Sequence, residues 1–315
     1  MAIQWFPGHM HRARKQIAEV MPNIDLVIEV LDARLPYSSE NPLVPDLCQG
    51  KPCLKLLNKA DIADSKHTQA WLDYFNSLEN TQAMAITGLD KKQVKSITQY
   101  CHNMLPDRRE KKLSIRTMIM GIPNVGKSTL INTLAGRVVA KAGNLPALTR
   151  HPQQIKIQDG IVLSDTPGIL WPKIHNEASG FRLAASGAVR DTALDYYEVA
   201  EFTADTLIKL YPEKLSERFK LKELPEKGYG LIEEIGKKRG CLRSGGVVDE
   251  YKAAEILIHE LRSGKLGQIS FETPDMMIQE EQALAQKAAL EEEKRQAKEA
   301  AKKKGRRQPK DKPNN

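Results

Sequence analysis

Eight residues near the middle of the chain have the types and spacing needed to hold a phosphate chain. Gly121–Ser128 reads Gly-Ile-Pro-Asn-Val-Gly-Lys-Ser and matches the pattern G-x-x-x-x-G-K-[ST]. The glycines let backbone N–H groups wrap the phosphates, Lys127 reaches the β- and γ-phosphates, and the Ser128 hydroxyl is a magnesium ligand. A predicted strand precedes the motif and a predicted helix over about 127–135 follows it, as this mechanism requires. The expected contacts are Asn124, Val125, Gly126, Lys127, Ser128 and Thr129.

A second motif, Asn58–Asp61, has the composition needed to read a base. It matches N-K-x-D and follows a predicted strand over 53–57. The Asp61 carboxylate can accept from both N1–H and the exocyclic amine of guanine, and adenine lacks that donor pair, so Asp61 selects GTP over ATP. Asn58 would hold the loop and the base edge, and the stem of Lys59 would cover the ring. Weaker candidates for contact with the guanine carbonyl are Ala85, Ile86 and Thr87.

A third motif, Asp165–Gly168, matches D-x-x-G at the end of an apolar strand downstream of the phosphate loop. This pattern occurs by chance about once in a chain of such length, so its position gives it weight. There Asp165 can hold the magnesium shell, through water, and the Gly168 N–H can sense the γ-phosphate. Thr149 lies between the two motifs, where a first switch is expected, and would be the second hydroxyl ligand of magnesium. A plain surface-loop threonine is its alternative role.

The order of the three motifs is unusual. Base reading comes at 58–61, phosphate binding at 121–128 and the second switch at 165–168. Residues 1–168 therefore look like a Ras-type domain opened between its second switch and its guanine motif. Predicted strands alternate with predicted helices, which favours a parallel sheet covered on both faces. We expect an α/β P-loop GTPase domain with circularly permuted motif order over residues 1–175.

Beyond residue 176 the predicted elements are helical. Helices are expected over 191–210 and 247–262, with a break at Gly228–Gly230. We expect a small all-α domain over 176–275. The charged residues 276–315 predict a helical tail that ends in a disordered basic segment.

Composition and charge limit the class of protein. The chain has 315 residues, of which 41% are hydrophobic and 28% charged, and no apolar run approaches a membrane span. No secretory signal is recognisable, and the four cysteines lack the spacing of metal ligands. These features favour reduced cysteines and a cytoplasmic location, with no membrane partner. The net charge of +8 favours nucleic acid as a partner, with a surface tuned for solubility as the alternative. Candidate RNA contacts are Arg12, Arg14, Lys15, Lys237, Lys238, Arg239 and Arg243.

The motif order and three flanking segments resemble the YlqF/RbgA type of circularly permuted GTPase. The segments are Trp5–Met10, Asp32–Pro36 and Asp165–Pro172, and the resemblance covers most of residues 1–270. It implies a factor in late assembly of the large ribosomal subunit. Its substrate would be GTP, its cofactor magnesium, and its partners large-subunit precursors and rRNA, with the GTPase stimulated by the ribosomal particle.

Hydrolysis needs a group that orients the attacking water. Ras-like enzymes place a glutamine after the D-x-x-G glycine, and here Ile169 and then Leu170 follow, neither of which can do so. His9 is the first substitute, because an imidazole can position or polarise water. The resemblance implies the same role, and helix capping or RNA contact is the alternative. The expected catalytic residues are therefore His9, Lys127 and Thr149.

Asn124 has a second expected role. It occupies the position at which related GTPases coordinate a stimulatory potassium ion, and stabilisation of the loop is its alternative. A GTP-dependent adaptor with negligible hydrolysis is the rival function, because Ile169 and Leu170 replace the water-orienting glutamine.

Overall fold

A computed structural model of the chain describes residues 15–48, 50–140, 153–166, 168, 170–171, 174, 176–189 and 195–305. The chain divides into two units, Met1–Thr273 and Pro274–Asn315. The first unit contains one sheet with its covering helices and a group of further helices.

The strands of the first unit form a single six-stranded sheet. They are β1 (Leu26–Asp32), β2 (Cys53–Asn58), β3 (Thr81–Ile86), β4 (Ile115–Met120), β5 (Gln153–Lys156) and β6 (Ile161–Asp165). Their order is β3-β2-β1-β4-β6-β5, and all neighbours are parallel except β5, which runs antiparallel to β6. All seven residues of β1 are buried, which is typical of a parallel strand covered on both faces. The expected α/β class is confirmed.

The sequence predicts a strand over 153–158, and the strand β5 ends early, at Lys156. Asp159 and Gly160 both have positive φ and turn the chain into β6. The Ile157 N–H donates to the Ile161 carbonyl and closes this turn. A tight hairpin therefore replaces the last residues of the expected strand.

Three longer helices accompany the sheet: α1 (Ser65–Asn76), α2 (Lys91–Met104) and α3 (Lys127–Ala135). Asp64 and Asp90 cap α1 and α2, each by accepting two backbone N–H groups of the first turn. Glycine residues in the left-handed region precede and follow α3 at Gly126 and Gly136. Shorter helical segments cover 15–20, Pro36–Ser39, Val44–Cys48 and Pro106–Glu110, and 3-10 turns cover Met21–Asn23 and Ala60–Ile62.

The second half of this unit consists of α4 (Glu177–Ser186), α5 (Tyr196–Leu210), α6 (Pro212–Phe219), α7 (Gly228–Arg239) and α8 (Glu250–Arg262). The helix α5 is central and packs against the other four. Their apolar faces form a core of their own, which includes Val199, Leu207, Ile232, Ile235 and Leu257.

Three boundaries of these helices differ from the sequence predictions. The helix expected over 191–210 begins at Tyr196, because the Asp195 side chain caps it. The helix expected over 247–262 begins at Glu250, because the Asp249 side chain caps it. The break expected at Gly228–Gly230 is wrong: both glycines lie in the first turn of α7. Gly228 is needed for close packing, since a Cβ there would collide with the Glu201 carbonyl of α5.

The segment that follows α8 returns to the α/β part of the same unit. The Phe271 N–H donates to the Arg34 carbonyl at 2.7 Å, and the Ile269 N–H donates to the Ile62 carbonyl at 3.0 Å. The indole N–H of Trp71 donates to the Glu272 carbonyl at 3.0 Å. The buried Glu272 carboxylate accepts from Ser38 in the α/β part and from Arg182 on α4. Its charge is therefore stabilised by groups from both parts of the unit.

The second unit is built on one long helix, α9 (Pro274–Gly305). Most of its described side chains beyond residue 279 are exposed. Among the described helices, none combines the length and the apolarity needed to cross a lipid bilayer.

The close approach at Gly228 generates a stability prediction. Replacing Gly228→Ala should lower the free energy of unfolding by about 2–3 kcal/mol, because the new methyl group meets backbone atoms that cannot move alone. The matched control is Gly230→Ala, whose Cβ would lie 3.0 Å from the Pro225 side chain in a loop that can shift. The free-energy cost of that contact should be offset by about 1 kcal/mol, because alanine favours the helix more than glycine does. Urea denaturation measures both, and equal unfolding midpoints for the two variants would contradict the packing argument.

Candidate nucleotide-binding site

Three strand ends bring the sequence motifs together. Asn58–Asp61 begins in the last residue of β2, Gly121–Ser128 follows β4, and Asp165–Gly168 begins in the last residue of β6. Since these strands run parallel, their carboxyl ends lie at one edge of the sheet, where α/β proteins bind ligands.

The Asn58 side chain joins the first two motifs directly. Its amide N–H donates to the Val125 carbonyl at 2.7 Å, and its oxygen accepts from the Gly88 N–H at 2.9 Å. The Gly88 carbonyl in turn accepts from Thr133 of α3 at 2.8 Å. Asn58 is buried, and Gly126 has no room for a Cβ because the Asn58 amide lies there. The base motif, the loop after β3 and the phosphate loop are therefore one hydrogen-bonded assembly.

The loop after β3 lies beside Asn58–Asp61, on the side of the site that is expected to bind the base (the base-reading side). Asn58 pairs in register with Ile86, which places residues 85–88 beside the motif. The Thr87 hydroxyl donates to the exposed Asp61 carboxylate at 3.2 Å, and the Thr87 N–H donates to Gln93. Ile86 is buried and Ala85 half-buried.

A buried ionic cluster fixes the position of the Lys59 side chain. Asp32 accepts from the Arg34 guanidinium at 2.8 and 2.9 Å and from Lys59 Nζ at 2.7 Å. Burial alone would raise the pKa of Asp32, but Arg34 and Lys59 hold that pKa well below its usual range. Burial lowers the pKa of Lys59, and its contact with Asp32 opposes that change. Asp32 is therefore a charged anchor for the Lys59 stem.

Sequence reasoning assigned no role to Asp32 and Arg34. Both were visible only as part of Asp32–Pro36, a segment that marks the family resemblance. A polar triplet directly after a buried strand, at the edge where the motifs meet, is the signal that could have found them.

Lys127 lies in the buried interior of the phosphate loop. Its ammonium group donates to the carbonyls of Gly121 and Ile122 at 2.9 and 3.0 Å. Burial lowers the pKa of Lys127 to about 8, and the nearby Asp165 opposes the shift. Gly168 packs so closely that a Cβ there would lie 3.1 Å from Lys127 Nζ. The loop and the second-switch motif are thus in direct contact.

The donors expected for magnesium fit a hard cation. Ser128 lies at the start of α3, and Asp165 is buried at the end of β6, beside Ile119 of β4. Hydroxyl and carboxylate oxygens are the ligands that Mg²⁺ prefers, with phosphate oxygens completing its shell. Among the described residues, no group of three or more His, Cys, Asp or Glu side chains is arranged to hold a metal.

The remaining predicted residues fall into three groups. Thr129 lies half-buried in the first turn of α3, and the half-buried Asn124 donates from its amide to the Gly187 carbonyl at 2.6 Å. His9, Arg12, Arg14, Thr149 and Ile169 lie outside the described residues. Lys15 is exposed in the helical segment over 15–20.

The basic residues after Gly236 are largely paired within the chain. Lys237 contacts Glu233 and Glu234, each at 2.9 Å. Arg239 contacts Glu260 and Arg243 contacts Asp249, each at 3.1 Å. Lys238, Arg239 and Arg243 are all exposed. Lys237, Arg239 and Arg243 can therefore meet phosphate only in competition with neighbouring carboxylates.

Comparison with known proteins identifies the family. The sequence model of a protein family described as 50S ribosome-binding GTPase matches residues 116–221. Ribosome biogenesis GTPase A of Bacillus cereus is 45% identical over 282 residues, which are 87% of this chain and 95% of that protein. The chain belongs to the ribosome biogenesis GTPase A family. It is a GTPase that acts in ribosome biogenesis, and GTP is its substrate.

Other members of the ribosome biogenesis GTPase A family agree in sequence and in fold. The protein of Thermotoga maritima is 31% identical over 89% of this chain and 98% of its own length. The GDP-bound structure of TM YlqF superposes with a TM-score of 0.60 at 28% identity, covering 82% of this chain and 99% of that one. GNP-bound YlqF from T. maritima gives the same TM-score at 27% identity over 84% and 99%. The resemblance seen in the sequence is confirmed, and the adaptor without hydrolysis is set aside.

The bridge made by Asn58 predicts a loss of nucleotide affinity on its removal. Asn58→Ala should weaken GDP binding by about 10–100-fold, because two buried hydrogen bonds that hold the loops together are lost. The matched control is Asn76→Ala, which loses a bond to the Ala83 N–H on β3, away from the motifs. Titration with fluorescent GDP measures both affinities. Equal losses in the two variants would mean that Asn58 only stabilises the fold.

Proposed function

We propose that GTP binds across the three strand ends, with its base at Asn58–Asp61 and Ala85–Thr87 and its phosphates at Gly121–Thr129. The Asn58 bridge carries this proposal, since it fixes the base loop relative to the phosphate loop. Lys127 would release the Gly121 and Ile122 carbonyls and meet the β- and γ-phosphates. The Gly168 N–H, beside Lys127, is suited to sense the γ-phosphate.

Magnesium is part of the same proposal. Ser128 and Thr149 would be its hydroxyl ligands, and Asp165 would hold it through water. The ion would neutralise charge on the β- and γ-phosphates when it is bound. The buried position of Asp165 next to the phosphate loop supports this assignment.

The site belongs to a circularly permuted GTPase domain over residues 1–175. The family model matches residues 116–221, which include the phosphate loop and the second switch, whereas the base motif precedes that match. The sheet nevertheless places β2, with the base motif, two strands from β4, with the phosphate loop. Because of this order, the chain leaves the second switch directly into α4 at Glu177. Loss of the γ-phosphate would therefore act on the helical part through little intervening structure.

The partner is a precursor of the large ribosomal subunit, contacted through rRNA. The description of the matching family, 50S ribosome-binding GTPase, supports this choice. The helical domain over 176–275 and the basic tail over 276–315 supply the docking surfaces in this proposal, in the cytoplasm where subunits assemble. Contacts would come from Arg12, Arg14, Lys15, Lys237, Lys238, Arg239 and Arg243.

His9 orients the attacking water in this mechanism. Leu170 is buried in the core of the sheet, so its side chain offers nothing to a water molecule at the phosphates. An imidazole brought in by particle binding would supply the missing group. A potassium ion at Asn124 would add positive charge to the transition state, where an arginine serves in other GTPases.

Turnover of GTP by the purified chain, with and without large ribosomal subunits and in potassium and sodium salts, tests the proposal. We expect strong stimulation by the subunits in potassium. His9→Ala should reduce the stimulated rate by about 100-fold with nucleotide affinity unchanged, the usual effect of losing a group that positions water. His259→Ala, an exposed histidine on α8, is the control. An unstimulated rate in both salts would contradict the ribosome-triggered mechanism.

A further inference from the structure

A hydrogen bond joins the phosphate loop to the helical part of its own unit. The Asn124 amide donates to the Gly187 carbonyl at 2.6 Å, just beyond the end of α4. Asn124 itself has a φ of 61°, in the left-handed region that asparagine adopts more readily than most other non-glycine residues. The contact therefore constrains the loop at a residue assigned to the nucleotide.

The position of the Gly187 carbonyl is set by a tight helix end. Gly187 has a φ of 82°, and its N–H donates to the Ala184 carbonyl at 3.0 Å. The Ala188 N–H donates to the Leu183 carbonyl at 2.9 Å and completes the turn. A change in this turn would redirect the acceptor of the Asn124 bond.

Arg262 holds that helix end. It donates from Nε to the Ala185 carbonyl at 3.0 Å and from Nη2 to the Ala184 carbonyl at 2.8 Å. Its guanidinium lies against Gly187, where a Cβ would come within 3.3 Å of Nε. Terminal helix carbonyls lack partners within their helix, and a cation there is favoured by both hydrogen bonding and the helix dipole. Because Arg262 donates two parallel hydrogen bonds, it also fixes the orientation of this helix end, which a single ammonium group cannot do.

The same turn of α8 reaches the base-reading side. The carbonyl of Leu261 accepts from Arg34 Nη1 at 3.2 Å, and Arg34 shares Asp32 with Lys59. Two adjacent residues of α8 are therefore linked to the two sides of the proposed site, Leu261 through Arg34 and Arg262 through the end of α4.

We propose that Arg262 is a positioning residue for the phosphate loop, acting through the Gly187 carbonyl on Asn124. This inference rests on the proposed binding of nucleotide at Gly121–Ser128. A displacement of α8 relative to α4, such as docking of a large partner on the helical part could produce, would release Asn124 and loosen the loop. By linkage, nucleotide in the loop would favour the arrangement in which Arg262 holds α4.

A double-mutant cycle on nucleotide release tests the proposal. Arg262→Ala should speed release of fluorescent GDP from the full chain by about 10-fold, and Arg262→Lys should restore part of that loss. Asn124→Ala should speed release as well. In the Asn124→Ala background, Arg262→Ala should add less than about 2-fold, because the two residues act along one path. The control is Arg218→Ala, which breaks an ion pair with Glu260 on α8 but has no contact with the phosphate loop.

The outcomes separate this inference from the proposed function. Multiplicative effects of Arg262→Ala and Asn124→Ala on the release rate would overturn the positioning role, even if Arg262→Ala lowers the melting temperature. Equal acceleration by Arg218→Ala and Arg262→Ala would overturn it too, since both would then reflect general loosening of α8. Failure of the wild-type chain to bind GDP would instead reject the proposed site itself.

Discussion

The structure of the candidate nucleotide site depends on one buried side-chain amide, that of Asn58. A buried amide must have hydrogen-bond partners, and those of Asn58 are backbone groups of the phosphate loop and of the loop after β3. Since the amide has one donor group directed to Val125 and one acceptor directed to Gly88, neither loop can shift without leaving a buried polar atom unpaired. The Asn58 bonds therefore fix the two loops relative to one another.

A second layer of buried charge supports this arrangement. Asp32 compensates Arg34 and Lys59, and Glu272 compensates Arg182, all within the first unit. Removing one partner of such a cluster costs about 3–5 kcal/mol, because the other charge remains buried. Each ion pair is also joined by a hydrogen bond to the other part of the unit. Ser38 donates to Glu272, and Arg34 donates to the Leu261 carbonyl of α8.

The sequence predicted what depends on local pattern. The three motifs, the alternation of strands and helices and most element boundaries follow from spacing and periodicity. It missed what depends on residues far apart in the chain. Arg262 and Ala184 meet across two helices, and no periodicity in either segment indicates that contact. In the sequence, Gly228 is typical of a helix break. Its role in close packing against the Glu201 carbonyl becomes visible only when the positions of α5 and α7 are known.

If motifs from three strand ends form one guanine-specific site, replacement of Asp61 should change which base the protein binds. Xanthine carries a carbonyl where guanine carries its exocyclic amine. In the Asp61→Asn variant, the side-chain amide could donate to that carbonyl while its oxygen accepts from N1–H. We predict that Asp61→Asn weakens GDP binding by about 100-fold or more and strengthens binding of xanthosine diphosphate above that of wild type. Retention of full GDP affinity in the Asp61→Asn variant would contradict the account, because the base would then be read elsewhere.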